Sequence, residues 1–162
     1  MNNNTIVNVV LGNGDGTFQT PQPVEVNDGG AIAIGDVDGD GQVEILTSVL
    51  FGAILSKRNA SGMFVPVLMV ALGDTSNSLA FADVNSDGKL DVVATTFYSV
   101  VIRLGNGDGT FKPTQSLGGG NIAGSVAVRD FDGNGKPDVV ITDSTWSRVQ
   151  VILTDTGPLA CR

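Results

Sequence analysis

Residues 36–44 read Asp-Val-Asp-Gly-Asp-Gly-Gln-Val-Glu. The frame returns at 83–91 as Asp-Val-Asn-Ser-Asp-Gly-Lys-Leu-Asp and at 130–138 as Asp-Phe-Asp-Gly-Asn-Gly-Lys-Pro-Asp. The three starts are 47 residues apart, a period that marks a repeat architecture before any propensity is weighed. Each copy has a carboxylate or carboxamide at positions 1, 3 and 5, glycine at 6 and a carboxylate at 9. Side chains at 1, 3 and 5 converge only if the backbone curls, and Gly41, Gly88 and Gly135 permit the curl. Oxygen donors in this number suit a hard cation that takes six to eight of them. A backbone carbonyl at position 7 would come from Gln42, Lys89 or Lys136, and Glu44, Asp91 or Asp138 would close the site.

An EF-hand is excluded. That loop needs a bidentate Glu at position 12 between two helices, whereas position 12 here is Thr47, Ala94 or Ile141. The segment after each loop (EILTSV, DVVATT, DVVIT) is rich in β-branched residues and reads as strand. Asp-Gly sequences also make good turns without any ion. A turn, however, does not require acidic or amide groups at four positions three times over, and clustered carboxylates repel without a counter-ion.

The charge tells the same story. Of 17 acidic residues in a chain of net charge −8, ten sit in these loops, so the acidity is a local feature. No basic stripe exists for a nucleic acid. There is no His, which removes the usual general base and the commonest transition-metal ligand. Outside the loops no nucleophile–base pair or paired-carboxylate motif stands out, so the chain is not expected to be an enzyme by itself. The single cysteine, Cys161, cannot form a disulfide within one chain and reads as a tail thiol without a role. No apolar run has the length of a membrane span. Met1-Asn2-Asn3-Asn4 is not a signal peptide; either a leader was removed or the chain is an excised piece.

Strands are expected at 5–10, at 17–26 after the turn GNGDG, at AIAIG (31–35), at 44–49 and at GAILS (52–56). The cycle then repeats through SLAFA (78–82), SVVIRL (99–104), SVAVR (125–129) and SRVQVIL (147–153). GNGDG (12–16 and 105–109) is explained by Gly and Asn at positive φ, although it could hold an ion. Units of four short antiparallel strands at this period predict an all-β fold of propeller blades. Pro21, Pro23, Pro66 and Pro113 are all expected to lie in the strand after a GNGDG-type turn, which makes that strand the outermost of each blade. The small-residue strand is then the innermost. We expect thirteen strands, grouped as two, four, four and three. The chain is one segment, with repeats at about 18–63, 64–110 and 111–157 and a leading strand at 5–11.

These features together, LGNGDGTF, the inner strand and the acidic loop, resemble FG-GAP/VCBS repeats, the blades of integrin α-subunit propellers and of many bacterial surface and secreted proteins. The similarity runs from about residue 5 to 154. It implies a β-propeller with about three calcium ions, one in each loop between first and second strands. The implied ligands are Asp36, Asp38, Asp40, the Gln42 carbonyl and Glu44 in loop one. They are Asp83, Asn85, Asp87, the Lys89 carbonyl and Asp91 in loop two, and Asp130, Asp132, Asn134, the Lys136 carbonyl and Asp138 in loop three. Glu44 stands where the family has Asp, and Ser86 where it has Gly.

The expected function is a calcium-binding module for extracellular or periplasmic binding or adhesion, with a protein or carbohydrate ligand and no membrane insertion. Alternatives are a carbohydrate-binding propeller lectin and the non-catalytic propeller part of a larger secreted enzyme. The turns opposite the acidic loops carry Leu50, Phe51, Phe97, Tyr98, Trp146 and Arg148, beside polar turns at Asp28 and at 74–77. They form a candidate ligand face, or else the rings pack between blades. Loop one, the most acidic and with no obvious neutralising Lys or Arg, is expected to bind calcium most tightly. Three blades do not close a ring, so the chain is either part of a longer propeller or closes by self-association, with 17–26 of one copy beside 148–153 of another.

Overall fold

The computed structural model describes residues 4–27, 30–118, 124–143 and 146–154. Asp28, the loop after residue 118 and Cys161 lie outside them. The described strands are β1 (Asn4–Val9), β2 (Gln22–Asn27), β3 (Ile32–Gly35), β4 (Glu44–Val49), β5 (Gly52–Arg58), β6 (Phe64–Ala71) and β7 (Ser76–Ala82). They continue with β8 (Asp91–Thr96), β9 (Ser99–Arg103), β10 (Gln115–Gly118), β11 (Val126–Arg129), β12 (Asp138–Asp143) and β13 (Arg148–Ile152). Four antiparallel sheets result: β1-β2, β3-β4-β5-β6, β7-β8-β9-β10 and β11-β12-β13. The expected grouping of two, four, four and three strands is what the described residues form. Each sequence repeat supplies the outer strand of one sheet and the first three of the next.

Burial explains why the strands read as they do. Every residue of β4 and β8 is buried, because these strands carry a neighbouring sheet on both faces. A strand packed on two sides reads as a continuous apolar run without alternation. Between the second and third sheets lie Ala33, Leu46, Leu55, Leu79, Val92 and Val101. Val93, Val100, Ile102, Val139 and Ile141 fill the space between the third and fourth. Val24, Ile45 and Phe64 join the first sheet to the second. The inner strands β3, β7 and β11 approach one another in sequence around the axis. Gly35 makes one such approach possible, since a Cβ there would lie 2.7 Å from Leu90 Cδ1. Polar staples cross the same seams. Arg103 Nη1 donates to Ala71 O at 3.0 Å, and Thr95 Oγ1 donates to Gly124 O at 2.6 Å.

Two details depart from the sequence expectation. The strand expected from residue 17 starts only at Gln22. Pro21 and Pro113 therefore precede their strands, and only Pro23 and Pro66 lie within outermost strands. The delay comes from the turn, which keeps pairing to itself: beyond it only an isolated Gly12–Phe18 bridge forms before β2 begins. Pro66 sits where the β5–β6 register shifts between Leu55 and Ser56, an irregularity that tolerates a missing N–H.

Ser86 has φ 58°, in the left-handed region where the matching positions of the other loops hold Gly39 (φ 74°) and Gly133 (φ 78°). A side chain there is strained. Ser86→Gly should therefore raise stability by about 0.5–1 kcal/mol after the added freedom of the unfolded chain is subtracted. A denaturant titration at fixed calcium checks this; an unchanged or lower midpoint would contradict it.

Candidate metal loops and the opposite rim

In each acidic loop the position-1 carboxylate pulls the backbone around itself. Asp36 accepts N–H bonds from Gly39 (2.7 Å) and Gly41 (2.9 Å). Asp83 accepts from Asp87 (2.9 Å) and Gly88 (2.8 Å), and Asp130 from Gly133 (2.7 Å) and Gly135 (2.9 Å). The bond from the position-6 glycine recurs in all three, and that glycine always has positive φ. The position-3 and position-5 side chains cap amides two residues on, as in Asp40 to Gln42 N–H at 2.7 Å and Asn134 to Lys136 N–H at 2.8 Å. The amide bonds to position 1 hold Asp130 below the usual carboxylate range, the Gly135 N–H contributing most.

The loops gather their acids differently. Oxygens of Asp36, Asp38 and Asp40 lie within 4.8 Å of one another, as do those of Asp130, Asp132 and Asp138. The carboxylates of loop two, Asp83, Asp87 and Asp91, form no such group; Asn85 stands between them and donates to Asp87 at 3.1 Å.

Position 9 has a role that spacing did not reveal. Asp91 is fully buried; one oxygen accepts from Val84 N–H (2.9 Å) and the other from Gly105 N–H (2.8 Å). Asp138 bridges Phe131 N–H and Thr154 N–H, both at 2.9 Å, and Glu44 accepts from Val37 N–H at 2.9 Å. The carboxylate thus ties the loop to its strand and, in loops two and three, to the end of the third strand. Burial pushes the Asp91 and Glu44 carboxyls above their ordinary values, and nearby carboxylates add to the effect.

Loop one is not free of a neutralising cation, contrary to the sequence expectation. Lys57, on β5, pairs with Asp38 and holds that carboxyl below its ordinary value. The pair is 19 residues apart in sequence and is brought together by the β4–β5 hairpin. The turn of the next sheet roofs it: Gly109 N–H donates to Val37 O at 3.2 Å, and a Cβ at Gly109 would sit 3.1 Å from Lys57 Nζ. GNGDG itself uses its carboxylate inside the turn. Asp108 accepts from Thr110 N–H at 2.9 Å and Asp15 from Thr17 N–H at 2.9 Å.

At the other rim the rings are exposed, not packed between sheets as the alternative reading held. Phe51, Tyr98 and Trp146 are 66%, 69% and 70% exposed, and Leu50 and Phe97 are exposed beside them. Each turn has only two residues, Leu50-Phe51 and Phe97-Tyr98, between its strands. Arg148 is engaged with Asp143 at 3.2 Å, whose other oxygen accepts Trp146 N–H. A cleft of about 340 Å³ opens beside Tyr98, with Asp74, Thr96, Ser99, Thr114 and Ser116 in its walls.

Because Lys57 occupies one side of loop one, Lys57→Met should tighten any calcium binding there about threefold to tenfold, a range reduced for solvent screening. Calorimetric titration of the variant against the parent checks it. Equal affinities would show that the lysine leaves the loop when an ion arrives.

The model of the FG-GAP-like repeat matches residues 1–47 and 83–141, more than half of the chain. No curated protein sequence matches the chain. Among solved structures, the chain is similar to one described as the basis of specific recognition of non-reducing terminal N-acetylglucosamine by an Agrocybe aegerita lectin. The identity is 22% and the TM-score 0.63, over 94% of this chain and 44% of that one. The chain thus spans less than half the length of that structure, and the likeness is one of fold. With its repeated loops, its four-stranded blades and this match, the chain belongs to the FG-GAP-like repeat family.

Proposed function

We propose that this chain is a calcium-stabilised, non-catalytic propeller module that binds carbohydrate at the rim opposite its acidic loops, in an extracellular or periplasmic setting. The observation that carries the proposal is the row of exposed rings beside a polar cleft. Phe51 holds a bulky side chain at φ 63° on an exposed turn, a conformation that costs energy and gains no burial. Strain of this kind without packing points to display of the ring. A sugar offers an apolar C–H face to an aromatic plane and hydroxyls to polar neighbours. Tyr98 supplies the plane, and Asp74, fixed by Thr75 N–H at 2.7 Å, supplies an acceptor. The lectin likeness supports the ligand class.

Calcium fits the donors on the other rim. Oxygen-only sets at positions 1, 3, 5 and 9, with three carboxylates gathered in loops one and three, suit a hard cation. The position-9 oxygens that accept N–H bonds retain a second lone pair. A bound ion would offset the charge of Asp87 and Asp83, which adds to the effect of burial in raising the Asp91 carboxyl. The chain's own contribution is the curl that aims the oxygens inward. No helix among the described residues is long and apolar enough to cross a membrane.

Two outcomes are expected. Calcium at about 100 times its dissociation constant should stabilise the fold by roughly 2.7 kcal/mol per site relative to chelator; identical melting midpoints would mean that the loops are plain turns. Oligosaccharides ending in N-acetylglucosamine, titrated in calcium alongside other sugars, should bind. Tyr98→Ala should weaken that binding at least about tenfold, in keeping with a lost stacking contact, while leaving the melt unchanged. Failure of every sugar tested would overturn the ligand class and leave the calcium result standing.

A further inference from the structure

We infer that the cleft beside Tyr98 selects its saccharide by charge. It takes a sugar with a protonated amine, of the 2-amino-2-deoxy class, in preference to the N-acetylated or plain sugar, and it repels acidic sugars. This rests on the carbohydrate reading of the same rim. The 47-residue period supplies an internal comparison. Between the second and third sheets the cleft is lined by the hydroxyl residues Thr96, Ser99, Thr114 and Ser116 and by the carboxylate residue Asp74. The preceding unit has Val49, Gly52, Val67, Met69 and Asn27 at these places. Exposure does not dictate the change, since Val67 and Met69 are each 49% exposed and remain apolar. Packing does not dictate it either, since Val49 is buried as Thr96 is. Four hydroxyls and a negative charge enter together at one seam, which marks them as belonging to a site and not to the scaffold.

Each group has its part. The Thr96 hydroxyl accepts N–H bonds from Ser99 at 3.1 Å and Tyr98 at 3.4 Å, so it fixes the turn that carries the ring. Tyr98 therefore keeps out of the left-handed region that Phe51 occupies in the preceding turn. Thr114 donates to Ala71 O at 3.3 Å. One oxygen of the half-buried Asp74 accepts the Thr75 N–H, and among the described residues its carboxylate forms no ion pair. No Lys or Arg lines the cleft. The charge of Asp74 thus awaits a cation from the ligand. An ammonium meets it with a charge-assisted hydrogen bond, roughly twice as strong as a neutral one, and the face of a tyrosine ring attracts the same cation. An acetamide offers Asp74 only a neutral N–H, and a uronate brings it a like charge. On an amino sugar the ammonium lies beside an apolar C–H face for Tyr98 and hydroxyls for Ser116, so one small ligand uses the whole cleft.

Chemical-shift titration of the chain in calcium tests this, with the methyl glycosides of glucosamine, N-acetylglucosamine, glucose and glucuronic acid, below the pKa of the sugar amine. The glucosamine glycoside should bind about fivefold to tenfold more tightly than the N-acetylated one at low salt. The advantage should shrink as salt is added, and the glucuronide should bind most weakly. Asp74→Asn restores the residue type of the preceding unit and should abolish the advantage without changing the melt. Diffuse attraction to a chain of net charge −8 would survive the loss of one carboxylate. An advantage that persists in Asp74→Asn therefore overturns the inference. Equal affinities of the parent for amine and acetamide overturn it too, while leaving the carbohydrate reading intact. Butylamine competing as well as the glucosamine glycoside overturns the choice of a sugar. If none of the glycosides binds, the carbohydrate reading falls and this inference falls with it.

Discussion

The structure turns on holding like-charged oxygens together at one rim. Loops one and three each gather three carboxylates, and in all three loops the backbone amides that hold the position-1 carboxylate are those the curl itself exposes. The position-9 carboxylate is the anchor. It is buried at the start of the second strand, reaches back to the loop and, for Asp91 and Asp138, forward to the third strand. A buried carboxylate with two N–H donors is tolerable; one with none would carry the full cost of desolvation. Loop and sheet therefore stand or fall together, and a cation at the loop acts on the blade as a whole.

That coupling divides labour between the rims. The loop rim is tied down by side chain–backbone bonds and by the next sheet's turn, as at Gly109 and Val37. The opposite rim has short turns with large exposed rings. Both rims hang on β4 and β8, every residue of which is buried. A display surface built on strand ends is held more accurately than one built on long loops.

Much of this was legible in the sequence. The period of 47, the grouping of strands and the inner place of the small-residue strand come from spacing, β-branched runs and alanine content. The features that were not legible depend on three-dimensional neighbours. Lys57 reaches Asp38 only because a hairpin folds it back and Gly109 leaves room for its head. The exposure of Phe51 and Tyr98 could not be told from packing between blades, since an apolar ring in a turn suits either. The acceptor role of Asp91 was hidden because its partner Gly105 is 14 residues on.

The alternation of large and small across each seam carries a final consequence. Ala33 on one sheet receives Leu79 of the next, so the two faces of a blade are not interchangeable. A face that is large cannot be buried well against another like itself, because two bulky rows hold the backbones apart and leave voids. Each added blade therefore enters in one orientation, and the sense of travel around the axis is set by residue size at every seam. Stability in such an array is a sum of blades and neighbour contacts, so an end face gains nothing from the interior.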